Sequence, residues 1–247
     1  LGRLGDGNGR LRRSWKDGRA TAPGVLEDHA DMAEGLLALY EATFDERWFE
    51  EARRLAETML ARFADPAGGF FDTGDDHEAL VTRPKDLQDN ALPSGNAMAA
   101  TVLLRLAALT GEGRYRDAAE AALRLVTPLL ARYPSAFSQW LLAAELAIGP
   151  LVEVAIVGDT ADPSTQRLLR TAFHGSRPAR VVAAGPDPAS SRGPLLQGRF
   201  ALGGRPTAFV CRDFACRQPV NEPEALAAIL VAEGTAGVSF DAGEMSR

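Results

Sequence analysis

Cysteine is scarce in this sequence. Cys211 and Cys216 are the only two in 247 residues, too few for the disulfide framework of a small secreted scaffold. Two thiols cannot complete a structural zinc site, and their spacing, Cys211-Arg-Asp-Phe-Ala-Cys216, is wider than that of thioredoxin-type motifs or zinc knuckles. A disulfide requires the two Cα atoms to approach within about 7 Å. Reduced thiols are the expectation, and a redox role for Cys211 and Cys216 is the alternative. Long apolar runs are missing too: none approaches the roughly 18–20 residues of a membrane helix, and the N-terminus lacks the charged-then-apolar order of a signal peptide. A cytoplasmic location is expected. Positive charge is in the minority, with 27 Lys and Arg against 33 Asp and Glu and a net charge of −6. Apart from Arg10 to Lys16 the basic residues are scattered, which argues against nucleic acid or an anionic membrane as partner. Gly158 follows an apolar run without the further glycines of a GxGxxG or P-loop motif. No nucleotide site, cofactor or metal is expected.

What is present is globular. Hydrophobic residues make up 46% and charged residues 24% of the chain, ordinary values for a folded domain, and a chain of this size buries roughly 70–75% of its unfolded surface. Residues 1–25 read as a loop or frayed entry with Trp15 as its one large apolar anchor. At about 100° per residue, 26–43 forms a helix whose polar wedge (Glu27, Asp31, Glu34, Ala38, Glu41) is narrow, so the helix is expected to be enclosed. A helix over about 46–63 keeps Trp48, Ala52, Leu55, Met59 and Phe63 to one stripe and is expected outside. The same pair recurs at about 95–109, enclosed, and about 113–132, one-sided. A shift of 67 residues lays Leu39 on Leu106, Thr43 on Thr110, Arg47 on Arg114 and Trp48 on Tyr115. A helix at about 136–148 starts another unit. Repeated hairpins with one inner and one outer member are what a ring or solenoid requires, because each inner helix is covered by its neighbours. The expected fold is mainly α, residues 1–149 being part of a toroid of inner/outer helix pairs. Residues 150–247 are expected to form a small α/β subdomain: strand 152–157, helix 164–173, strand 179–184, a Gly/Pro/Ser-rich loop, strand 206–211, the cysteine segment and a helix near 222–231.

Between the two hairpins lies Pro84-Lys-Asp-Leu-Gln-Asp-Asn-Ala-Leu-Pro-Ser-Gly-Asn96, too polar to bury cheaply and stiffened by two prolines. Ser94 reads either as a helix N-cap or as a site group. His29 and Asp28, in the first turn of the first helix, read either as a core histidine with an N-terminal acid or as groups facing the same hollow as 84–96. The helix dipole favours Asp28 and disfavours protonated His29, so a neutral imidazole is expected. Carboxylate pairs serve chemistry on sugars. Asp28 and Asp89, with His29, are the catalytic candidates, and Trp15, Glu27, Phe71, Lys85, Asp86, Ser94 and Asn96 the substrate-binding candidates. His29 alternatively serves as the base of an epimerase. The acidic cluster of Asp72, Asp75, Asp76, His77 and Glu78 offers ligands for a divalent ion but lacks the glycine and the spacing of an EF-hand loop, and it reads as a solvated loop.

Five segments together, Ser14-Trp-Lys-Asp-Gly-Arg19, Leu26-Glu-Asp-His-Ala30, Arg83-Pro-Lys-Asp86, Pro93-Ser-Gly-Asn96 and Thr207-Ala-Phe-Val-Cys-Arg-Asp-Phe-Ala-Cys216, resemble the bacterial YyaL-type family, which includes the spermatogenesis-associated thioredoxin-like proteins. The resemblance runs in order over nearly the whole chain. It implies an (α/α)6 six-hairpin barrel like those of N-acylglucosamine and cellobiose epimerases and six-hairpin glycosidases, preceded by a thioredoxin-like domain for which this chain has no segment. The chain then corresponds to a C-terminal portion. Where it has His29 the family commonly carries an aromatic residue. The functional expectation is a carbohydrate-active protein, an epimerase or hydrolase of a small saccharide. The alternative is a non-catalytic scaffold that binds a partner: the missing N-terminal part of the same protein, or a second copy.

Overall fold

The computed structural model describes residues 2–6, 9–78, 81–186, 188–189 and 191–235. The chain opens with a hairpin of β1 (Arg12–Lys16) and β2 (Arg19–Pro23), followed by α1 (Leu26–Thr43), α2 (Glu46–Arg62), α3 (Gly95–Thr110), α4 (Gly113–Leu130), a 3-10 turn at Pro134–Ala136 and α5 (Ser138–Ile148). Then come β3 (Val152–Val157), α6 (Pro163–Phe173), β4 (Arg180–Gly185), β5 (Thr207–Arg212), β6 (Ala215–Cys216) and α7 (Pro223–Thr235). The second sheet has the order β4-β3-β5-β6, with β3 and β4 parallel across α6 and the other pairs antiparallel.

The toroid expectation is overturned. Among the described residues, seven α-helices and two sheets, 46% helix and 16% strand, make a mixed α/β fold. The reason lies in β3, every residue of which is buried. Ala155 and Val157, with Val181 and Ala183 of β4, join the core of the helical hairpins. Val154 and Ile156, with Val182, Ala184 and Val210, face the other way onto Leu168, Leu169 and Ala172 of α6 and Leu226 and Leu230 of α7. Successive strand residues point to opposite faces, so the sheet is a wall between two helical layers, standing beside α1 and α3 on a side that a ring would give to further hairpins.

Two further expectations need correction. The entry segment is not a loop: Asp17 (φ 50°) and Gly18 (φ 77°) supply the two left-handed positions of a tight hairpin turn, the pattern that matches strand twist. And α1 is not enclosed, since Leu39 is 45% exposed, whereas α3 is buried at nearly every position. The repeat, by contrast, is visible in atomic detail. Thr43 and Thr110 each donate a side-chain hydrogen bond of 2.7 Å to a carbonyl one turn back, Leu39 and Leu106, and each accepts the amide two residues on, Asp45 and Glu112. The next residues, Phe44 (φ 54°) and Gly111 (φ 74°), both close their helices in the left-handed region, where glycine is at ease and phenylalanine is strained.

Candidate functional site

The polar stretch is stapled to three elements. Asn96, fully buried in the first turn of α3, accepts the Phe70 amide at 2.8 Å and donates to the Phe70 carbonyl at 2.9 Å and the Asp86 carbonyl at 3.0 Å. Its amide thereby stands in for a strand partner of Phe70. Asp89, 6% exposed, accepts the Ser94 amide through one oxygen at 2.8 Å and the Gln139 amide through the other at 2.9 Å. It binds the start of α5 to the residue before α3. Ser94 caps α3, its hydroxyl accepting the Ala97 amide at 3.3 Å. Trp140 of α5 donates to the Leu87 carbonyl at 2.7 Å, fixing the stretch from below. Lys85 pairs with Asp65 at 2.6 Å and donates to the Gly68 carbonyl at 2.6 Å. Asp86 presents its amide to Asp72 at 3.0 Å and accepts the Gln88 amide. Phe71 is covered by Arg83, 4.2 Å from its ring centre, with the Lys85 ammonium 5.2 Å away.

At the start of α1, His29 is fully buried against Phe63, ring centres 5.1 Å apart. Its Nε2 accepts the Leu11 amide at 3.2 Å, which places the proton on Nδ1, and Nδ1 donates to the Val25 carbonyl at 2.8 Å. Burial lowers its pKa, against the Val25 hydrogen bond, so the ring is a neutral clamp between the entry hairpin and α1. Asp28 accepts the Val25 amide at 2.8 Å and pairs with Arg13 at 3.0 Å. Glu27 also pairs with Arg13, at 2.6 Å. Trp15 is 42% exposed on β1 beside Arg3.

The structure therefore gathers Glu27, Asp28 and Asp86 at one end of the helices and directs Asp89 to α5. Two acids that were not among the site candidates belong to the gathered set. Desolvation, then Glu27 and Asp28, raises the pKa of Asp31. Desolvation raises that of Asp72, with the Asp86 amide opposing and the Asp86 and Glu27 carboxylates adding. Spacing i, i+4 from Glu27 was the available signal for Asp31, and Asp72 stood at the head of the acidic cluster. Among the described residues no group of His, Cys, Asp and Glu is arranged to hold a metal ion. In the acidic run, Asp75 pairs with Arg62 and Asp76 with Arg10.

A cleft of about 450 Å³ opens where α1, α3 and α5 meet β4, lined by Glu34, Glu41, Arg105, Gln139, Leu142 and Arg180 among others. Arg105 bridges Glu34 and Glu41, the latter at 2.7 Å. Glu41 also accepts the Val182 amide at 2.9 Å. Burial raises its pKa while Arg105 opposes. Far from these groups in sequence, Cys211 and Cys216 are joined in a disulfide, correcting the expectation of free thiols: they are direct partners in the β5–β6 register, which brings the two sulfurs together.

The chain is 34% identical to human spermatogenesis-associated protein 20 over 206 residues, covering 81% of this chain and 26% of the relative. Against the mouse protein of that name the identity is 33% over 230 residues, 87% of this chain and 29% of the relative. These matches support the spermatogenesis-associated protein 20 family. An uncharacterised Caenorhabditis elegans protein is 26% identical over 233 residues, 90% of this chain and 31% of the relative. The chain thus spans under a third of the length of these spermatogenesis-associated protein 20 relatives and of the nematode protein. No family model matches it. No helix among the described residues is long and apolar enough to cross a membrane.

Proposed function

We propose that this chain is a non-catalytic scaffold within a longer cytoplasmic protein, presenting the cleft between α1, α3 and α5 to another part of that protein, such as a thioredoxin-like domain. One observation carries the reading: the polar atoms of His29, Asp89 and Asn96 are all engaged with backbone groups. A general acid or base needs a lone pair or proton within reach of substrate, and these side chains instead hold together segments far apart in sequence. The exposed Leu142 in the cleft wall and its exposed neighbour Leu141 on α5 favour a protein occupant. Hydrogen exchange measured on this chain and on a full-length relative tests the reading. Amides of α1 and α5 bordering the cleft are expected to exchange more slowly in the longer protein; equal exchange in both would refute it.

A second reading, acid/base chemistry on a small saccharide, draws support from Asp31 and Asp72, whose raised pKa values suit a proton donor, with Phe71 next to Asp72 in the chain as an aromatic face. Calorimetry with mono- and disaccharides distinguishes the two. Binding that disappears in Asp31→Asn or Asp72→Asn, with the fold retained, would replace the scaffold reading.

A further inference from the structure

The β5–β6 hairpin holds an unassigned cluster. Its turn residues Asp213 (φ 47°) and Phe214 (φ 63°) are both left-handed. Behind it Arg199, 8% exposed, brings Nη2 to 3.1 Å from the sulfur of Cys216 and 3.4 Å from that of Cys211. The guanidinium lies 5.7 Å from the Phe214 ring centre and 6.0 Å from that of Phe209. Among the described residues its remaining hydrogen bond goes to the Gln197 carbonyl at 3.4 Å, and its buried Nε has no partner. The nearby carboxylate, Glu153, is occupied by the Phe214 amide at 2.9 Å. Burying a cation without a hydrogen-bonded anion is unfavourable, and the two sulfurs are what this one faces. They differ in access: Cys211 is 1% exposed, Cys216 is at the surface.

The geometry points to a thiol–disulfide exchange site whose substrate is a dithiol, with Cys216 as the sulfur attacked, Cys211 as the leaving thiolate and Arg199 as the catalytic cation beside it. One thiolate of the dithiol attacks the Cys216 sulfur. The Cys211–Cys216 bond breaks, and its electron pair leaves on Cys211, next to Arg199. The second thiolate of the dithiol then attacks its own sulfur in the mixed disulfide and expels Cys216 as thiolate. The dithiol is oxidised to its disulfide by loss of two electrons and two protons, and the cysteine pair takes up both. A positive neighbour lowers the pKa of the leaving thiol, and a better leaving group departs faster. The inference is independent of the scaffold reading.

Dithiothreitol serves as the probe, with alkylation and mass spectrometry following each cysteine while circular dichroism monitors the fold. The native chain is expected to be reduced without unfolding, Cys216 being alkylated ahead of Cys211. Arg199→Met is expected to slow reduction by about tenfold, the size of a leaving-group effect of this kind, and Arg199→Lys to restore part of the rate. A bond that opens only on unfolding, or equal rates in the native chain and Arg199→Met, would overturn the assignment. If Arg199→Met does not fold, Cys211→Ser decides. Its single thiol is expected to react with iodoacetamide at neutral pH faster than free cysteine; a rate no higher than that of free cysteine would overturn it.

Discussion

Replacing Asp89 by alanine removes two acceptors at once. The Ser94 and Gln139 amides, at 2.8 and 2.9 Å from its oxygens, lose their partners at a site that is 6% exposed. Each buried donor left unsatisfied costs about 1–3 kcal/mol, so Asp89→Ala is expected to destabilise the fold by about 4 kcal/mol. For a chain of this length that corresponds to a fall in Tm of roughly 8–16 °C, at about 2–4 °C per kcal/mol. Asp89→Asn keeps one carbonyl for one amide and turns an NH2 towards the other, so its loss is expected to be smaller. Urea titration and calorimetry of the three proteins measure the series. A change below about 1 kcal/mol in Asp89→Ala, typical of surface sites, would refute the structural role and leave the carboxylate available for other chemistry.

Two more outcomes follow from the same clamps. His29 is held neutral, so below the unfolded imidazole pKa of about 6.5 the unfolded chain takes up a proton that the folded one resists; stability is expected to fall from pH 7.5 to 5.5. His77, whose pKa is also lowered by burial, acts in the same sense. The midpoint of urea unfolding should track this fall, and His29→Gln should flatten it; an equally steep fall in the variant would refute the assignment. Asn96→Leu leaves the Phe70 amide and two carbonyls without partners, an expected loss of at least about 3 kcal/mol, and faster exchange of the Phe70 amide distinguishes this from a general loss of stability.

The helices were legible because a period near 3.6 survives in each, and α1 begins and ends where the pattern places it. What covers a helix is not written in its own residues. The apolar arc of α1 predicts burial, yet Leu39 is exposed, because it lies on the α2 side of the helix beside Leu36, Arg47 and Trp48, while the sheet meets α1 at Glu41. The entry hairpin was obscured by sparse apolar residues, although Asp17-Gly18 was its signal. For the site, the polar stretch itself was conspicuous, but the partners of its side chains were not. Asp89 finds Gln139 fifty residues on, and whether a carboxylate meets backbone amides or solvent depends on that path. Arg199 was invisible in a Gly/Pro/Ser-rich segment, since its meaning comes from a hairpin it does not belong to.

The two-faced strand β3 carries a mechanical corollary. Because alternate side chains of a single six-residue segment are embedded in separate apolar cores, neither helical layer can be peeled from the sheet without uncovering a row of Val, Ile and Ala belonging to the strand the other depends on. The two halves are thereby expected to melt as one unit, since neighbouring residues of one backbone segment serve both cores.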